Sequence, residues 1–318
     1  DSRQDAAFFS CYLDRTYNNI LRRRLIIHTL NRYKTEAISN QWTVEDLVNR
    51  TCNQARELML FSAKSSKQQQ IDEAWRWLLL ELLSYDRRNN LEGLGLLGFS
   101  LVKPQNWKAP KPLLENPWEL TEEESWTLFQ ILLDSFRIQG AITFPDNVSP
   151  DDDVFYLRNY PSYFRENGSS TKNRIKSWAS ASGNRLNRRL DFILKLSRDS
   201  TNNKIEHAKQ LLSDIWKESL FKNGSYWREY FLDSPVQNEG RPYRLKYDMW
   251  EIQPGCINPA VKWYQCDTCS NLSLHNLRNI CPTYRCEGSL RICNPDEIFK
   301  NNHYRQHYLN SNPMPLVA

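Results

Sequence analysis

Four cysteines lie close together near the carboxyl end of the chain, in the stretch YQCDTCSNLSLHNLRNICPTYRC. Cys266 and Cys269 form a Cys-x2-Cys pair, and Cys281 and Cys286 form a Cys-x4-Cys pair. Two thiolates on one tight turn point at one ion, and the stretch between the pairs is long enough to bring two such turns together. Thiolates at about 2.3 Å around Zn²⁺ make a closed tetrahedral site, which stabilises a fold and leaves no position for a substrate. The spacing therefore predicts a structural zinc ribbon and argues against an independent zinc enzyme.

The sequence leaves other assignments of these cysteines open. His275 lies inside the loop between the two pairs and could replace one thiolate, while Cys256 and Cys293 flank the segment as spare ligands. The four could also be unrelated reduced thiols. Disulfides are disfavoured, because the start of the chain, DSRQDAAFF, does not resemble a secretion signal.

A long basic segment is the second feature of the sequence that could bind a ligand. Between Arg165 and Arg198 nine basic residues stand against two acids, an excess larger than the +5 of the whole chain. Basic side chains mixed with serine and asparagine suit a phosphate backbone, although an ordinary solvated face is the alternative. The candidate nucleic-acid contacts in this segment are Lys172, Arg174, Lys176, Arg185, Arg188 and Arg189.

The elements that must position these residues are mostly helical. Apolar spacing and capping residues predict helices at residues 3–33, from Thr43, at about 70–85, from Thr121 with Glu124 in a capping box, and at 203–222. Two alternating stretches, SYWREYFL and RPYRLKYDMWEI, predict a hairpin after the last of these helices, which is the order of a winged helix. Four prolines in residues 104–118 predict a linker. The predicted class is mainly α with small β elements (α+β), including a winged-helix-like module and a four-cysteine zinc ribbon.

Composition is typical of a globular protein, with 40% hydrophobic and 25% charged residues. No apolar run reaches the length that crosses a bilayer, so we expect no membrane partner and a cytoplasmic location. The chain begins without Met and ends on NPMPLVA, and we interpret it as a piece of a longer protein.

Three stretches carry a resemblance to a known family. SRQDAAFF resembles the motif that opens the second RecA-like lobe of a group of very large superfamily 2 DEAD/DEAH-type helicases. The cysteine segment resembles their zinc-binding segment, and MPLVA resembles a strand leading to their next helicase motif. The group includes bacterial antiphage helicases, Druantia-type among them, and DNA-repair helicases.

The resemblance implies roles for individual residues. Ser2, Arg3, Gln4 and Asp5 match a motif that lies near the nucleic-acid backbone and the lobe interface, although Ser2 and Asp5 could equally cap a helix. The four clustered cysteines match the family's metal ligands. It also implies a division of the chain into residues 1–35 (start of the motor lobe), 36–118 (helical insertion), 119–255 (basic module), 256–312 (zinc ribbon) and 313–318 (return strand).

The chain lacks the motifs that bind and hydrolyse ATP in this family. It has no Gly-x-x-x-x-Gly-Lys-Ser/Thr loop and no Asp-Glu-x-His box, and the arginine-bearing motif of the second lobe is missing. ATP hydrolysis needs a phosphate cradle and a bound Mg²⁺ ion. We therefore expect no catalytic residue in this chain, with ATP and Mg²⁺ bound only by the longer parent.

From these observations we expect the chain to be an accessory insertion in an ATP-dependent DNA helicase or translocase that acts in phage defence or DNA repair. Its expected partners are DNA, the other lobes of the same polypeptide, and further defence or repair subunits. The alternative is a scaffold that docks partner subunits. A continuous basic groove reaching Arg185, Arg188 and Arg189 would favour DNA, whereas an aromatic-rich and basic-poor surface would favour the scaffold.

An insertion also predicts where the ends of the chain lie. The inserted body should begin near residue 35 and end near residue 312 at neighbouring points, so that the host core closes without it. We expect an apolar group at one end of the chain to face an apolar pair at the other. These residues are Phe8, Phe9, Tyr12 and Leu13 on the first side, and Leu316 and Val317 on the second.

Overall fold

The structure is a computed structural model that describes residues 19–83, 89–155, 161–180, 186–197, 202–234 and 240–310. Helices dominate and short strands lie between them, which confirms the predicted α+β class. The helices are α1 (residues 19–32), α2 (Lys34–Ser39), α3 (Val44–Glu57), α4 (Lys67–Leu82), α5 (Lys111–Leu114), α6 (Glu122–Ile138), α7 (Arg188–Leu196), α8 (Lys204–Asp214), α9 (Pro295–Ile298) and α10 (His303–Leu309). A π-helical segment, Ile215–Leu220, continues α8, and 3₁₀ turns cover Asp153–Phe155, Tyr226–Tyr230 and Tyr247–Met249.

The helices that were predicted from capping residues begin where expected. Thr43 Oγ1 accepts from the backbone N–H of Asp46, whose carboxylate accepts in return from the Thr43 N–H. Thr121 and Glu124 make the same reciprocal pair at the start of α6. Each box satisfies N–H groups that a helix leaves without partners at its first turn. Ser66 starts α4 with a third box that the sequence analysis did not identify.

The described strands form small sheets, most of them antiparallel. One sheet pairs β1 (Gly98–Leu101) with β6 (Trp250–Gln253). A second contains β2 (Tyr163–Asn167), β3 (Ile175–Ser180), β4 (Phe231–Asp233) and β5 (Tyr243–Leu245) in the order β3-β2-β5-β4, with β2 and β3 parallel. The third contains β7 (Trp263–Cys266), β8 (Leu272–Ser273) and β9 (Leu290–Cys293) in the order β8-β7-β9.

The predicted hairpin forms, but within a larger sheet. β4 and β5 pair antiparallel, and β5 also pairs with β2 through Phe164 and Tyr243. Residues Tyr226–Tyr230 of the predicted first strand form a 3₁₀ turn instead. The end of the predicted second strand lies in β6, which leaves this sheet to pair with β1. The hairpin is therefore part of a mixed four-stranded sheet and does not stand as a separate wing.

Residues 104–118 pack against the rest of the described chain and do not form the linker that the four prolines predicted. The ring of Trp107 lies 4.7 Å from the ring of Phe129 and 5.0 Å from that of Trp126, between ring centroids. Leu113 and Trp118 are buried. The prolines end regular structure, but the apolar side chains between them still gain free energy by leaving water.

One hydrophobic core runs through the described residues, from Ile26 in α1 to Tyr308 in α10. In the first sheet Phe99 of β1 lies opposite Ile252 of β6, and both are buried. The predicted boundary at residue 118 therefore lies between two stretches of sequence that share a core and a sheet.

Two glycines let the β7–β9 sheet and its neighbours approach the rest of the molecule. Gly95 has a φ of +68°, and a Cβ there would lie 2.5 Å from the Pro295 side chain. A Cβ on Gly98 would lie 2.4 Å from Leu274. Both positions exclude larger residues because another part of the chain occupies the space a side chain would need.

Candidate metal centre

The first cysteine pair lies on a tight turn at the end of β7. Cys266 ends the strand, and the backbone N–H groups of Thr268 and Cys269 lie 3.4 and 3.5 Å from its Sγ. Ser270 closes the turn by donating its N–H to the Cys266 carbonyl at 3.0 Å, and its φ is +59°. These two N–H groups orient the Cys266 sulfur within the turn, as partners of metal ligands commonly do.

The second pair comes from the loop that precedes β9. Cys281 and Cys286 are both buried, and Arg285 between them has a φ of +58°. Gly288 follows, and a Cβ there would lie 2.5 Å from Cys266 Sγ. The absence of a side chain at this position lets the two turns close on each other.

The four sulfurs converge on one point. All lie within 4.8 Å of one another, with Cys266 and Cys286 3.6 Å apart and Cys269 and Cys281 3.7 Å apart. A tetrahedron with metal–sulfur bonds of about 2.3 Å has sulfur–sulfur edges of about 3.8 Å, so the cluster fits a metal ion such as Zn²⁺. These are the four residues that the spacing predicted. With four protein ligands such a site has no open position, which is typical of structural and not catalytic sites.

Neighbouring groups lower the pKa of Cys269, the most exposed thiol of the cluster. Burial raises the pKa of Cys269, but hydrogen bonds from the Asn271 backbone and from Thr283 outweigh it and lower the pKa to about 7. Thr283 Oγ1 lies 3.6 Å from Cys269 Sγ and accepts from the Asn271 side chain at 3.1 Å. Thr283 and Asn271 were not predicted as site residues, although both lie two residues from a cysteine of the cluster, where partners that orient metal ligands are expected.

The spare ligands do not join the cluster within the described part of the chain. His275 lines a separate small cavity, between α6, α7 and β8, with Asp134 and Arg188. Burial, together with the nearby Arg137, lowers the pKa of His275 to about 4, so the ring is neutral at pH 7. Cys256 and Cys293 are likewise absent from the group of sulfurs that could share an ion.

The loop between Cys281 and Cys286 holds α7. Lys195 Nζ donates to the Thr283 carbonyl at 3.0 Å, and the Arg285 N–H donates to an Asp191 carboxylate oxygen at 3.1 Å. Lys195 and Asp191 form an ion pair at 2.7 Å within the helix. Tyr284 Oη donates to a backbone carbonyl just before α7 at 3.0 Å. The metal-binding loop is thus hydrogen-bonded to α7 and to the residue just before it.

Arg189 does not reach the surface, contrary to its prediction as a nucleic-acid contact. It is 2% exposed, and its guanidinium donates to the carbonyls of Trp178 and Ser177 and to Ser135 Oγ at 2.7–2.9 Å. Burial, with a smaller contribution from Arg188, lowers its pKa to about 9. The fold uses this arginine to hold α7 against β3 and α6.

The other predicted contacts divide into inward and outward side chains. Lys176 turns inward and donates to the Gln139 carbonyl at 2.7 Å, and burial lowers its pKa to about 8. Lys172 and Arg174 are exposed, and Arg188 is half-buried. Ser2, Arg3, Gln4, Asp5 and Arg185 lie outside the described residues, as do the apolar residues predicted to meet at the two ends.

Within the part of the chain that the structure describes, no helix is both long and apolar enough to cross a bilayer. Comparison of the chain with models of known families, with curated proteins and with solved structures finds no match.

Proposed function

We propose that this chain is a non-catalytic accessory segment of an ATP-dependent DNA helicase or translocase that acts in phage defence or DNA repair. In this proposal a structural zinc ion maintains its carboxyl-terminal part, and basic side chains contact DNA. ATP and Mg²⁺ bind elsewhere in the longer parent, which supplies the remaining lobes. Further defence or repair subunits are its expected protein partners.

The main support for the insertion hypothesis is the contact between the first and the last described helices, α1 and α10. Arg24 of α1 donates from Nε to the His307 carbonyl of α10 at 2.9 Å. Arg23 donates to Tyr308 Oη at 3.1 Å. A segment inserted into a host lobe has to leave and re-enter it at neighbouring points, and a contact between the chain near residue 24 and the chain near residue 307 supports such an arrangement.

The four-cysteine cluster supports the structural role of zinc. Its sulfur–sulfur separations of 3.6 and 3.7 Å suit a tetrahedral ion, and no ligand position would remain for chemistry. Zinc would therefore stabilise the β7–β9 sheet and the loop under α7, and it would not activate water or substrate.

The DNA contact rests on Lys172 and Arg174. Both are exposed at the turn before β3, whereas Lys176 and Arg189 bond to the protein interior. Lysine and arginine on an exposed turn attract phosphates without regard to base sequence.

Charge reversal at this turn tests the proposal. In the double variant Lys172→Glu, Arg174→Glu we expect weaker binding to duplex DNA and a salt dependence of log K that is flatter by roughly 0.9 per lost phosphate contact. The matched control is Lys64→Glu, Lys300→Glu, which reverses two exposed charges outside the basic segment. Equal affinities for both double variants and the unmodified chain at low salt would contradict the DNA contact.

A protein-interaction scaffold is the second candidate, and a specific surface favours it. Met59, at the end of α3, is 85% exposed, and beside it Phe61 stacks on Trp77 with ring centroids 5.4 Å apart. The burial of Arg189 also interrupts the basic groove that the DNA hypothesis included. If no variant of the chain binds DNA at low salt, the scaffold becomes the better proposal.

A further inference from the structure

The four-stranded sheet has a second face, opposite the core, on which Tyr163 and Arg244 lie. Side chains alternate along a strand, so Tyr243 and Leu245 point to one face and Arg244 between them points to the other. Phe164, which pairs with Tyr243, is buried on the core side. Tyr163 precedes it and shares the outer face with Arg244, whose Cζ lies 5.2 Å from the centre of the Tyr163 ring.

Arg244 is a half-buried cation with an incomplete set of partners. Its Nε is buried without a hydrogen bond, and among the described residues no carboxylate pairs with its guanidinium. Burial lowers its pKa, and the Tyr163 hydroxyl partly opposes this effect. A charge that has lost part of its hydration without gaining a counter-ion favours binding of an anion from outside.

Further cations surround this pair. Arg165 follows Tyr163 by two residues and so has the same orientation on β2, and it donates to the Gly168 carbonyl at 3.2 Å. Arg174 is exposed at the same end of the sheet, and its carbonyl accepts from the Tyr163 N–H at 3.1 Å. Lys172 is exposed in the same turn. We call Tyr163, Arg165, Lys172, Arg174 and Arg244 the cationic sheet face.

The acid of β2 does not neutralise this face. Glu166 lies next to Arg165 and has the opposite orientation, because neighbouring residues of a strand alternate. Its carboxylate accepts from Ser213 Oγ at 2.7 Å and pairs with Lys217 at 2.9 Å, on the side of α8. Arg165 and Arg244 therefore lie on the outer face of the sheet, whereas Glu166 and Lys176 point to the other side.

We infer that the cationic sheet face binds a single-stranded nucleic acid, with a base against Tyr163 and the adjoining phosphates on Arg244 and Arg174. A duplex hides the faces of its bases in the stack, whereas a single strand offers them to aromatic side chains on a basic surface. Leu232, which pairs with Arg244 on the side away from Tyr163 and is 43% exposed, adds an apolar side chain next to Arg244. This inference rests on the proposed function and specifies its substrate as the separated strand.

Binding of a fluorescently labelled oligothymidylate, measured by anisotropy over a series of salt concentrations, tests the inference. Tyr163→Leu should weaken binding by roughly five- to a hundredfold and leave the salt dependence unchanged, because it removes stacking and no charge. Tyr163→Phe keeps the ring and should bind like the unmodified chain. Arg244→Gln should weaken binding and flatten the slope of log K against log salt by about 0.7.

Arg291→Gln is the matched control, since Arg291 is 79% exposed at its side chain on β9, in a different sheet. Thermal unfolding of each variant checks that loss of binding is not loss of folding. If the chain binds the oligonucleotide and the Tyr163 and Arg244 variants bind as well as the control, the strand does not lie on Tyr163 and Arg244 and the inference fails, while the DNA contact proposed for Lys172 and Arg174 survives. If the unmodified chain binds neither single-stranded nor duplex DNA, the inference and the proposed function both fail.

Discussion

At the residue scale, Glu81 is a buried carboxylate that two arginines share. Its Oε1 accepts from Arg22 Nη2 and Arg23 Nε, each at 2.7 Å, and its Oε2 accepts from the Leu91 N–H at 3.1 Å. Burial raises the pKa of Glu81, but the two guanidinium groups outweigh burial and lower the pKa to about 2. The carboxylate thus joins α4 to α1, the helix that contacts α10.

Replacing this carboxylate should destabilise the protein in a pH-dependent way. Glu81→Gln leaves two buried arginines without their counter-charge, and we expect a loss of about 3–5 kcal/mol in the free energy of unfolding at pH 7. A carboxyl whose pKa is lowered by folding stabilises the native state above its unfolded pKa, and this contribution disappears as pH falls towards 2. The difference between the two proteins should therefore shrink by roughly 3 kcal/mol between about pH 5 and pH 2.

Urea unfolding at several pH values measures this difference. The control is Glu57→Gln, because Glu57 pairs with Arg32 where both side chains are about half exposed, and such pairs contribute about 0–1 kcal/mol. A pH-independent difference for Glu81→Gln would mean that the charge of Glu81 does not stabilise the fold.

At the element scale, the metal-binding loop and α7 form one unit. The loop residues that bond the helix lie between Cys281 and Cys286, so their conformation depends on where the two sulfurs are held. Metal binding at sites of this kind contributes directly to folding free energy. A change at the cluster should therefore reach α7 through the contacts of Lys195 and Asp191.

Removal of the metal should loosen α7 before it loosens helices elsewhere. We expect about one zinc per chain by elemental analysis, as for one closed four-ligand site. Chelation, or Cys286→Ser, should increase hydrogen exchange of the α7 amides more than that of α3, which serves as the internal reference. Lys195→Met should speed exchange in α7 while the zinc content stays unchanged. Equal exchange in α7 with and without zinc would contradict the coupling.

At the scale of the whole molecule, the continuous core predicts one unfolding transition. β1 can complete its sheet only with β6, and Arg278 of the zinc segment donates to Glu124 at the start of α6 at 2.8 and 3.0 Å. The full chain should therefore unfold in one cooperative step by both circular dichroism and tryptophan fluorescence. A fragment of residues 19–118 should not fold, because it lacks β6 and half of the core. A cooperative transition in that fragment would show an independent domain.

The features that the sequence predicted correctly depend on short separations along the chain. Thr121 and Glu124 are three residues apart, and their capping box follows from helix geometry alone. The Cys266 and Cys269 turn is equally local. Spacing also predicted that the second pair would join it, because two turns with two thiols each complete one coordination sphere.

Burial and neighbours across the molecule were not predictable in this way. Arg189 belongs to a basic stretch that is typical of a surface, yet its guanidinium meets Ser135, which is 54 residues earlier. Arg137 is equally buried, but Glu92 and Asp134 surround it and raise its pKa. Composition near each arginine gives no means of distinguishing these two environments.

Sequence alone was enough to predict the starts of α3 and α6, the α+β class and the four residues of the candidate metal centre. Each of these follows from interactions within a few residues or from a count of ligands. Three features came from the three-dimensional arrangement: which basic residues face solvent, the packing of the proline-rich stretch, and the sheet face that Tyr163 and Arg244 share. These outcomes depend on which strands pair and which helices pack, and the free energy of that packing is a property of the whole core.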